Sequence, residues 1–277
     1  TLTNALAGEK IAIVSNKPQT TRNRITAVCQ RGETQFVFLD TPGFHKPRTR
    51  LGDYMVNVVR QSVADVDAVV LVVEPVASLG PQERELIASI KSANCPAVLA
   101  INKLDTVEPE KLLAVIALYS EAYAFNAIVP ISAKTGDGVE ELLKELDKFA
   151  VESPALFPEG VTTDQPEKQV CAELIREKAL LHLRDEVPHG VGVEMLAMKR
   201  RGGLMEIHAT IYCERAAHKG IIIGKQGAML KRIGQEARAD IEALLGVRVH
   251  LQLCVKVREN WRDRPADLRT LGYVDEG

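Results

Sequence analysis

Ala97-Val-Leu-Ala-Ile-Asn-Lys-Leu-Asp105 is the stretch on which the reading of this chain turns. Five apolar residues run without interruption and then give way to Asn, Lys and Asp. That pattern describes a strand covered on both faces, with its carboxyl end opening onto a polar loop. Outward from it, short β-branched runs at 25–30, 35–39, 68–73 and 127–130 alternate with helix-patterned segments at 51–63, 81–92, 109–123 and 139–149. The alternation predicts an α/β domain, a doubly wound and mainly parallel sheet.

The order changes after Glu152-Ser-Pro-Ala-Leu-Phe-Pro-Glu-Gly160, whose two prolines and glycine show no periodicity and mark a boundary. A helix is expected over 166–184, strands over 191–198 and 204–213 joined through Arg201-Gly-Gly203, a Gly-rich helical segment over 216–245 and a last strand over 247–257. This α-β-β-α-α-β order predicts a small α+β domain. The expected division is 1–151, a linker at 152–165, and 166–277. The length of 277 residues suits two domains of about 100–200 residues each.

Composition excludes several classes. With 46% hydrophobic and 26% charged residues the chain is neither collagen-like nor disordered. No apolar run reaches the length of a membrane span, and residues 1–10 lack the pattern of a signal peptide. The cysteines at 29, 95, 171, 213 and 254 form no CxxC pair, which argues for free thiols in a reducing compartment and against structural zinc. The net charge of −2 is uneven: residues 1–160 carry −4 and 161–277 carry +2, and 199–238 alone holds 9 basic against 3 acidic residues. A basic stretch of that kind is a candidate footprint for a polyanion.

Three short motifs follow predicted strands: Asp40-Thr-Pro-Gly43, Asn102-Lys-Leu-Asp105 and Ser132-Ala-Lys134. Open α/β sheets bind their ligands at the carboxyl ends of strands. The Asp105 carboxylate can accept two hydrogen bonds from the N1–H and 2-amino groups of guanine, a pair of donors that adenine lacks. A site built on such bonds discriminates by about 10⁴-fold or more. Asn102 is expected to hold the loop or the base edge, the Lys103 stem to cover the purine, and the backbone amides of Ser132 and Ala133 to reach the base oxygen, with Lys134 completing the motif. Asp40 suits a water-mediated contact to Mg²⁺, and Gly43 lets its amide approach a terminal phosphate. Thr20 or Thr21, in the polar loop Gln19-Thr-Thr-Arg22, suits a hydroxyl contact to the same Mg²⁺. The loop 15–23 is expected to be mobile unless a triphosphate orders it.

In the second half, Ile221-Ile-Ile-Gly-Lys-Gln-Gly227 stands between an apolar run and an amphipathic helix carrying Lys231 and Arg232. Gly224-Lys-Gln-Gly227 resembles the GxxG loop of a KH domain, which clamps the backbone of single-stranded nucleotides. The two strands ahead of it match the type II arrangement. Lys225 and the following helix start add positive potential, and Ile221, Ile222 and Ile223 are expected to floor the site for bases. Trp261 is available for base stacking, against the commoner role of packing.

These motifs in this order resemble the translation-factor-like GTPases and specifically the Era family, over essentially the whole chain. The resemblance implies GTP binding and hydrolysis with Mg²⁺ in an α/β, P-loop-NTPase-like first domain. It implies binding of the 3′ end of 16S rRNA by a type II KH domain, and a part in assembly of the 30S subunit. The tail from Trp261, including Leu268-Arg-Thr-Leu-Gly-Tyr273, resembles that of the family as well. A cytoplasmic monomer is expected, with a peripheral position at the inner membrane face as a second reading. Two departures stand out. The string GxxxxGK[ST] is absent, and Thr1-Leu-Thr-Asn-Ala-Leu6 resembles the helix that follows it, so the first strand and phosphate loop are expected to be missing. Phe44 and His45 follow Gly43 where Ras-type enzymes place a water-orienting Gln; the catalytic group is unassigned, and His45 is weighed as a candidate against an ordinary loop histidine. The alternative to a GTPase is an RNA-binding module with a nucleotide-incompetent first domain.

Overall fold

The computed structural model describes all residues except 45, 65 and 274–277. They form two compact units: Thr1–Glu9, Arg24–Lys46 and Val56–Thr163 make the first, and Lys10–Asn23, Pro47–Met55 and Asp164–Gly277 make the second. No helix among the described residues is long and apolar enough to cross a membrane.

In chain order the first half holds α1 (Leu2–Ala7), β1 (Ile25–Arg31), β2 (Thr34–Asp40), α2 (Arg50–Ala64), β3 (Val69–Val73), α3 (Pro81–Ala93), β4 (Ala97–Ile101), α4 (Pro109–Ala122), β5 (Ala127–Pro130) and α5 (Val139–Asp147). β4 is the middle strand of a parallel sheet, order β3-β4-β5, and all five of its residues are fully buried. Its pleat sends Leu99 and Ile101 into a cluster with Ile87 and Ile90 of α3 and Val115 and Tyr119 of α4. Val98 and Ala100 enter the other cluster, with Leu142 and Leu146 of α5. Burying each large aliphatic side chain contributes about 1.5–3 kcal/mol, which is why an uninterrupted apolar run is stable only in this sandwiched position.

The expected single sheet divides in two. β1 and β2 form a separate antiparallel pair, Ile25 opposite Asp40. Their antiparallel sense follows from the two-residue connection Gly32-Glu33. Gly32 has φ +58°, the left-handed conformation of a tight hairpin, and so short a loop can join only antiparallel strands. The expected linker is also corrected in part. Gln35 Oε1 accepts the amides of Leu156 and Phe157, both at 2.9 Å, and Val28 N donates to Thr162 O at 2.7 Å. These bonds tie the segment to β1 and β2, and the first unit runs on to Thr163.

The second half holds α6 (Glu167–His182), β6 (Gly192–Arg201), β7 (Leu204–Cys213), α7 (Ala216–Ile223), α8 (Ala228–Leu245), β8 (Arg248–Val257) and α9 (Pro265–Thr270). The sheet order is β6-β7-β8, antiparallel across the first pair and parallel across the second. Its inner face packs against α6 and α8 through Leu174, Ile175, Ile207, Ile211, Ile233 and Ile241. The helical segment over 216–245 is divided at Gly224–Gly227 into α7 and α8, the two helices of the expected α-β-β-α-α-β order. Gly224 sits at φ +72°, and a Cβ there would lie 2.7 Å from the Met229 Cβ.

Residues 10–23 join this unit through a charged knot. The Glu177 carboxylate accepts hydrogen bonds from Lys10 Nζ, Lys178 Nζ and the Val14 amide, each at 2.8 Å. Asp240 Oδ2 pairs with Lys10 at 2.7 Å and Lys178 at 2.5 Å. Burial alone pushes the Glu177 carboxyl up, but the hydrogen bonds from Lys10, Lys178 and Val14 outweigh it, and the group is held below the usual glutamate value of 4.5. A folded-state value below the unfolded one gives stability that is present above the unfolded value and is lost as pH falls through the folded one. Stability of the wild type is therefore expected to fall below about pH 4.5, the unfolded glutamate range. Glu177→Gln should flatten that part of a urea-midpoint profile; an identical acid limb in the variant would remove Glu177 from the account.

Trp261 is fully buried, donates from Nε1 to Gly190 O at 2.9 Å and stacks on Tyr273 at 6.2 Å between centroids. It therefore packs and is not available to stack on a base. Trp261→Ala is expected to lower stability by about 3–5 kcal/mol, the range for emptying a large aromatic site. An unfolding free energy from urea titration within about 1 kcal/mol of wild type would contradict this; buried aromatics of that size do not come out so lightly.

Candidate functional site

The two loops that leave β4 and β5 brace each other. Asn102 N donates to Val73 O at 2.8 Å, which anchors the loop to the neighbouring strand. Asn102 Oδ1 accepts from its own loop at Lys103 N, 2.8 Å, and across to Ala133 N, 3.0 Å. Lys103 takes a left-handed conformation at φ +65°, which turns the chain into the short 3₁₀ turn Leu104–Thr106. Leu104 N then donates to Ile131 O at 3.0 Å. The buried Ser132 hydroxyl donates to Asp105 Oδ1 at 2.7 Å and accepts from Thr135 N at 3.2 Å. Asp105 itself is exposed, and its Oδ2 has no partner among the described residues. Lys103 Nζ is ion-paired with Glu74.

Asn102 thus holds the loop, one of the two roles expected of it. The amides of Ser132 and Ala133 are corrected: the first donates to Asp137 O and the second to Asn102 Oδ1, so neither is left over for a base oxygen. What the sequence did not show is that the Ser132 side chain orients the Asp105 carboxylate. Lys134 is exposed on the same loop.

Asp40 closes β2. Its Oδ2 accepts the Thr3 hydroxyl at 2.7 Å. Burial pushes the Asp40 carboxyl up, against the Thr3 hydroxyl and the Thr41 amide, which hold it down. Pro42 is buried and Gly43 exposed, and His45 lies outside the described residues.

In the second unit, Gly224, Lys225, Gln226 and Gly227 form the turn between α7 and α8. Gln226 and Gly227 are both left-handed, at φ +52° and +78°. Lys225 and Gln226 are exposed. Beside the turn lies a cleft of about 470 Å³ between α8 and β8, lined by Gly227, Leu230, Lys231, Gly234, Gln235 and Arg238 of the helix side and Val249, His250, Leu251 and Leu253 of the strand. Gly234 permits the close approach of helix and strand, since a Cβ there would lie 3.3 Å from Leu253 Cδ1. The cleft therefore has an apolar floor, a cationic rim and a glycine-bearing lip.

The floor is not the expected one. Ile222 is fully buried in the core and offers no surface, and Ile221 is about half exposed outside the cleft lining. Ile223 packs against the core. Leu230, Leu251 and Leu253 take the role. Of the two cations singled out on α8, Lys231 lines the cleft, whereas Arg232 is ion-paired along the helix with Glu236 at 3.0 Å. Arg238 was missed. The signal was present: 227, 230, 231, 234, 235 and 238 fall on one helical face.

Comparison with known proteins decides the family. A family model for the KH domain matches residues 186–262, and one described as a 50S ribosome-binding GTPase matches residues 1–103. GTPase Era of Ruminiclostridium cellulolyticum is 52% identical over 274 residues, covering 99% of this chain and 92% of that protein. GTPase Era of Clostridioides difficile is 47% identical over 279 residues, covering 100% and 94%. A crystal structure of Era in complex with MgGDPNP and nucleotides 1506–1542 of 16S ribosomal RNA superposes with a TM-score of 0.95 at 37% identity, over 99% of this chain and 93% of that one. The chain belongs to the Era family of GTPases.

The Era-type architecture is a GTPase domain followed by a KH domain, which the two family matches and the α-β-β-α-α-β order both express. The expectation that a leading strand and phosphate loop are missing is not confirmed by the comparisons; the GTPase match runs over residues 1–103. The expected Era switch residues meet a correction too. Gln19, Thr20, Thr21 and Arg22 are grouped with the second unit, Asp40 with the first. The Thr20 hydroxyl donates to Lys17 O at 2.6 Å beside Ser15, and Thr20 O accepts from Arg176. Arg22 is buried, donating to Val191 O at 2.8 Å and His189 O at 3.1 Å, and lies 5.8 Å over the Trp261 ring. Desolvation lowers its pKa, yet two carbonyls and the Tyr273 hydroxyl receive its guanidinium. Satisfying a buried cation outweighs leaving the loop in solvent.

Proposed function

We propose that this protein is a guanine-nucleotide-driven RNA-binding switch: it binds and hydrolyses GTP with Mg²⁺, and binds the 3′ end of 16S rRNA during assembly of the small ribosomal subunit. One observation carries the reading: an exposed Asp105 carboxylate, aimed by Ser132 and framed by Asn102, occurs in the same chain as a GxxG-lipped cleft. The first is what guanine recognition needs and the second is what a single-stranded RNA backbone needs. The related Era whose structure contains MgGDPNP and 16S rRNA supports both ligands. That RNA favours the small subunit over the 50S partner in the description of the GTPase family model.

In this reading residues 1–151 form the nucleotide domain and 166–277 the RNA-binding one. Asn102, Lys103, Asp105, Ser132, Ala133 and Lys134 form the base pocket, and Asp40, Thr41, Pro42 and Gly43 face the phosphates. A carboxylate beside a hydroxyl, Asp40 with Thr3, fits Mg²⁺, a hard ion that arrives on phosphate oxygens and keeps several waters. Lys225, Gln226, Lys231 and Arg238 take the RNA backbone. The protein works as a cytoplasmic monomer, where its RNA is.

The test is crosslinking of the full-length protein to the 3′ segment of 16S rRNA with a non-hydrolysable GTP analogue and with GDP. Crosslinks are expected at the cleft and to be stronger with the analogue. Crosslinks confined to other surfaces, or equal with both nucleotides, would overturn the reading.

A further inference from the structure

Two carboxylates carry the nucleotide reading, and both are gripped in the same way. Asp105 Oδ1 accepts the Ser132 hydroxyl at 2.7 Å, from 27 residues away. Asp40 Oδ2 accepts the Thr3 hydroxyl at 2.7 Å, from 37 residues away. Both hydroxyls are buried, Ser132 at 1% and Thr3 at 9% exposure. A buried hydroxyl costs free energy unless it finds a partner. Each of these directs its proton onto the acidic residue of a different nucleotide motif.

The two ends of the Thr3–Asp40 bond are anchored unequally. α1 turns Thr3 and Leu6 inward. Leu2 of the same helix packs with Phe36 and Phe38 of β2 and with Val98 and Ala100 of β4. The Thr3 hydroxyl is thus fixed by the core that holds the central strand. Asp40 is the last residue of β2, opposite Ile25, and the chain beyond it, Thr41-Pro42-Gly43, is in neither helix nor strand. A carboxylate at a strand end has several staggered rotamers open to it unless something selects one. The Thr41 amide holds it from its own loop, and Thr3 holds it from the core.

We propose that Thr3 is a positioning residue for Mg²⁺: it selects the orientation in which the Asp40 carboxylate meets the water shell of the ion. This role rests on the reading of Asp40 as the Mg²⁺ group and names the side chain that tunes it. Mg²⁺ demands near-ideal octahedral geometry and keeps several waters, so a carboxylate that reaches it through water must present its acceptors in fixed directions. A carboxylate has about four acceptor sites, and the hydroxyl occupies one of them. Hydrogen bonds that orient the groups around a metal typically change its affinity by about 10–100-fold. A group on a helix packed into the core sets such an orientation more sharply than a loop does.

The test measures binding of a fluorescent GTP analogue to the full-length protein across a series of free Mg²⁺ concentrations buffered with EDTA. Thr3→Val keeps the shape and removes the hydroxyl. It should need about tenfold more free Mg²⁺ than wild type to reach half of the Mg²⁺-dependent gain in affinity. Thr3→Ala, a second way to remove the hydroxyl, should shift the midpoint likewise, and Thr3→Ser should restore it. In an Asp40→Asn background Thr3→Val should add no further shift, because it acts through that carboxylate. Circular dichroism checks folding of every variant. A wild-type midpoint in a folded variant without the hydroxyl overturns the proposal. So does a loss of equal size with and without Mg²⁺, which marks damaged packing, and so does a further shift in the Asp40→Asn background. Asp40→Asn alone separates the proposal from its basis. A midpoint that moves in Asp40→Asn but not in Thr3→Val removes Thr3 and leaves the Mg²⁺ reading standing; one that stays put in Asp40→Asn removes that reading and Thr3 with it.

Discussion

Replacing Lys225 and Gln226 together with Asp abolishes binding of single-stranded RNA while the fold stays intact. Both side chains are exposed at the turn between α7 and α8, so neither contributes to the core. Gln226 sits at φ +52°, and Asp is one of the few residues that tolerates a left-handed conformation. The stability cost is therefore expected within about 0.5 kcal/mol, the range of ordinary surface changes. Binding is another matter. The change removes one positive charge and adds two negative ones beside the phosphates. Each charge pair at contact distance is worth about 1 kcal/mol in water and about 4 kcal/mol at an effective dielectric constant of 20. A swing of three charges thus lowers affinity by about 100-fold at least, since each 1.4 kcal/mol is tenfold. The measurement is a titration of fluorescent RNA at several salt concentrations with the full-length protein. The whole chain is needed because residues 10–23 complete the second unit. A folded double variant with wild-type affinity would show that the RNA surface lies elsewhere.

Asp105→Asn converts a guanine site into a xanthine site. The wild-type carboxylate presents two acceptors to two guanine donors. With Asn, one acceptor becomes an amide N–H donor that faces the guanine 2-amino group, donor against donor. Xanthine carries a carbonyl at that place and accepts the new bond. A site built on paired polar groups rejects the wrong partner by about 10⁴-fold, so GTP affinity should fall and XTP affinity rise across that scale. The structure adds a reason to expect a clean exchange. Ser132 donates to Asp105 Oδ1, and an amide oxygen accepts that bond as a carboxylate oxygen does. The side chain therefore stays aimed, and only its far end changes character. Calorimetry with both nucleotides on the full-length protein decides it; unchanged GTP and XTP affinities would sink the assignment.

Much of this was legible from residues alone, and the legible parts share a cause. The run Ala97–Ile101 could be placed at the centre of a sheet because five consecutive apolar residues need cover on both faces, a local property of the pleat. The turn Gly224–Gly227 could be picked out because two glycines at that spacing release the backbone from the right-handed helix. The face of α8 that lines the cleft follows the helical repeat, and reading that repeat past Lys231 finds Arg238 as well. Gly32-Glu33 carried the hairpin, although the alternation of strands and helices suggested one parallel sheet instead.

Other features have no local trace. Ile221, Ile222 and Ile223 are identical in sequence, yet Ile222 alone is sealed in the core, because the angle at which α7 meets the sheet selects one of three neighbours. The amides of Ser132 and Ala133 were read as donors for a ligand, but a carbonyl at Asp137 and a side chain at Asn102, 31 residues away, take them first. Arg22 was read in a polar loop, and its guanidinium ends on the carbonyl of Val191, 169 residues on. Sequence by itself determined the elements, their order and the chemistry offered at each loop, since periodicity, turn residues and functional groups act over a few positions. Tertiary structure decided which of those groups are left for a ligand. A buried donor or acceptor must find a partner, and which partner lies within reach is settled only when distant segments pack together.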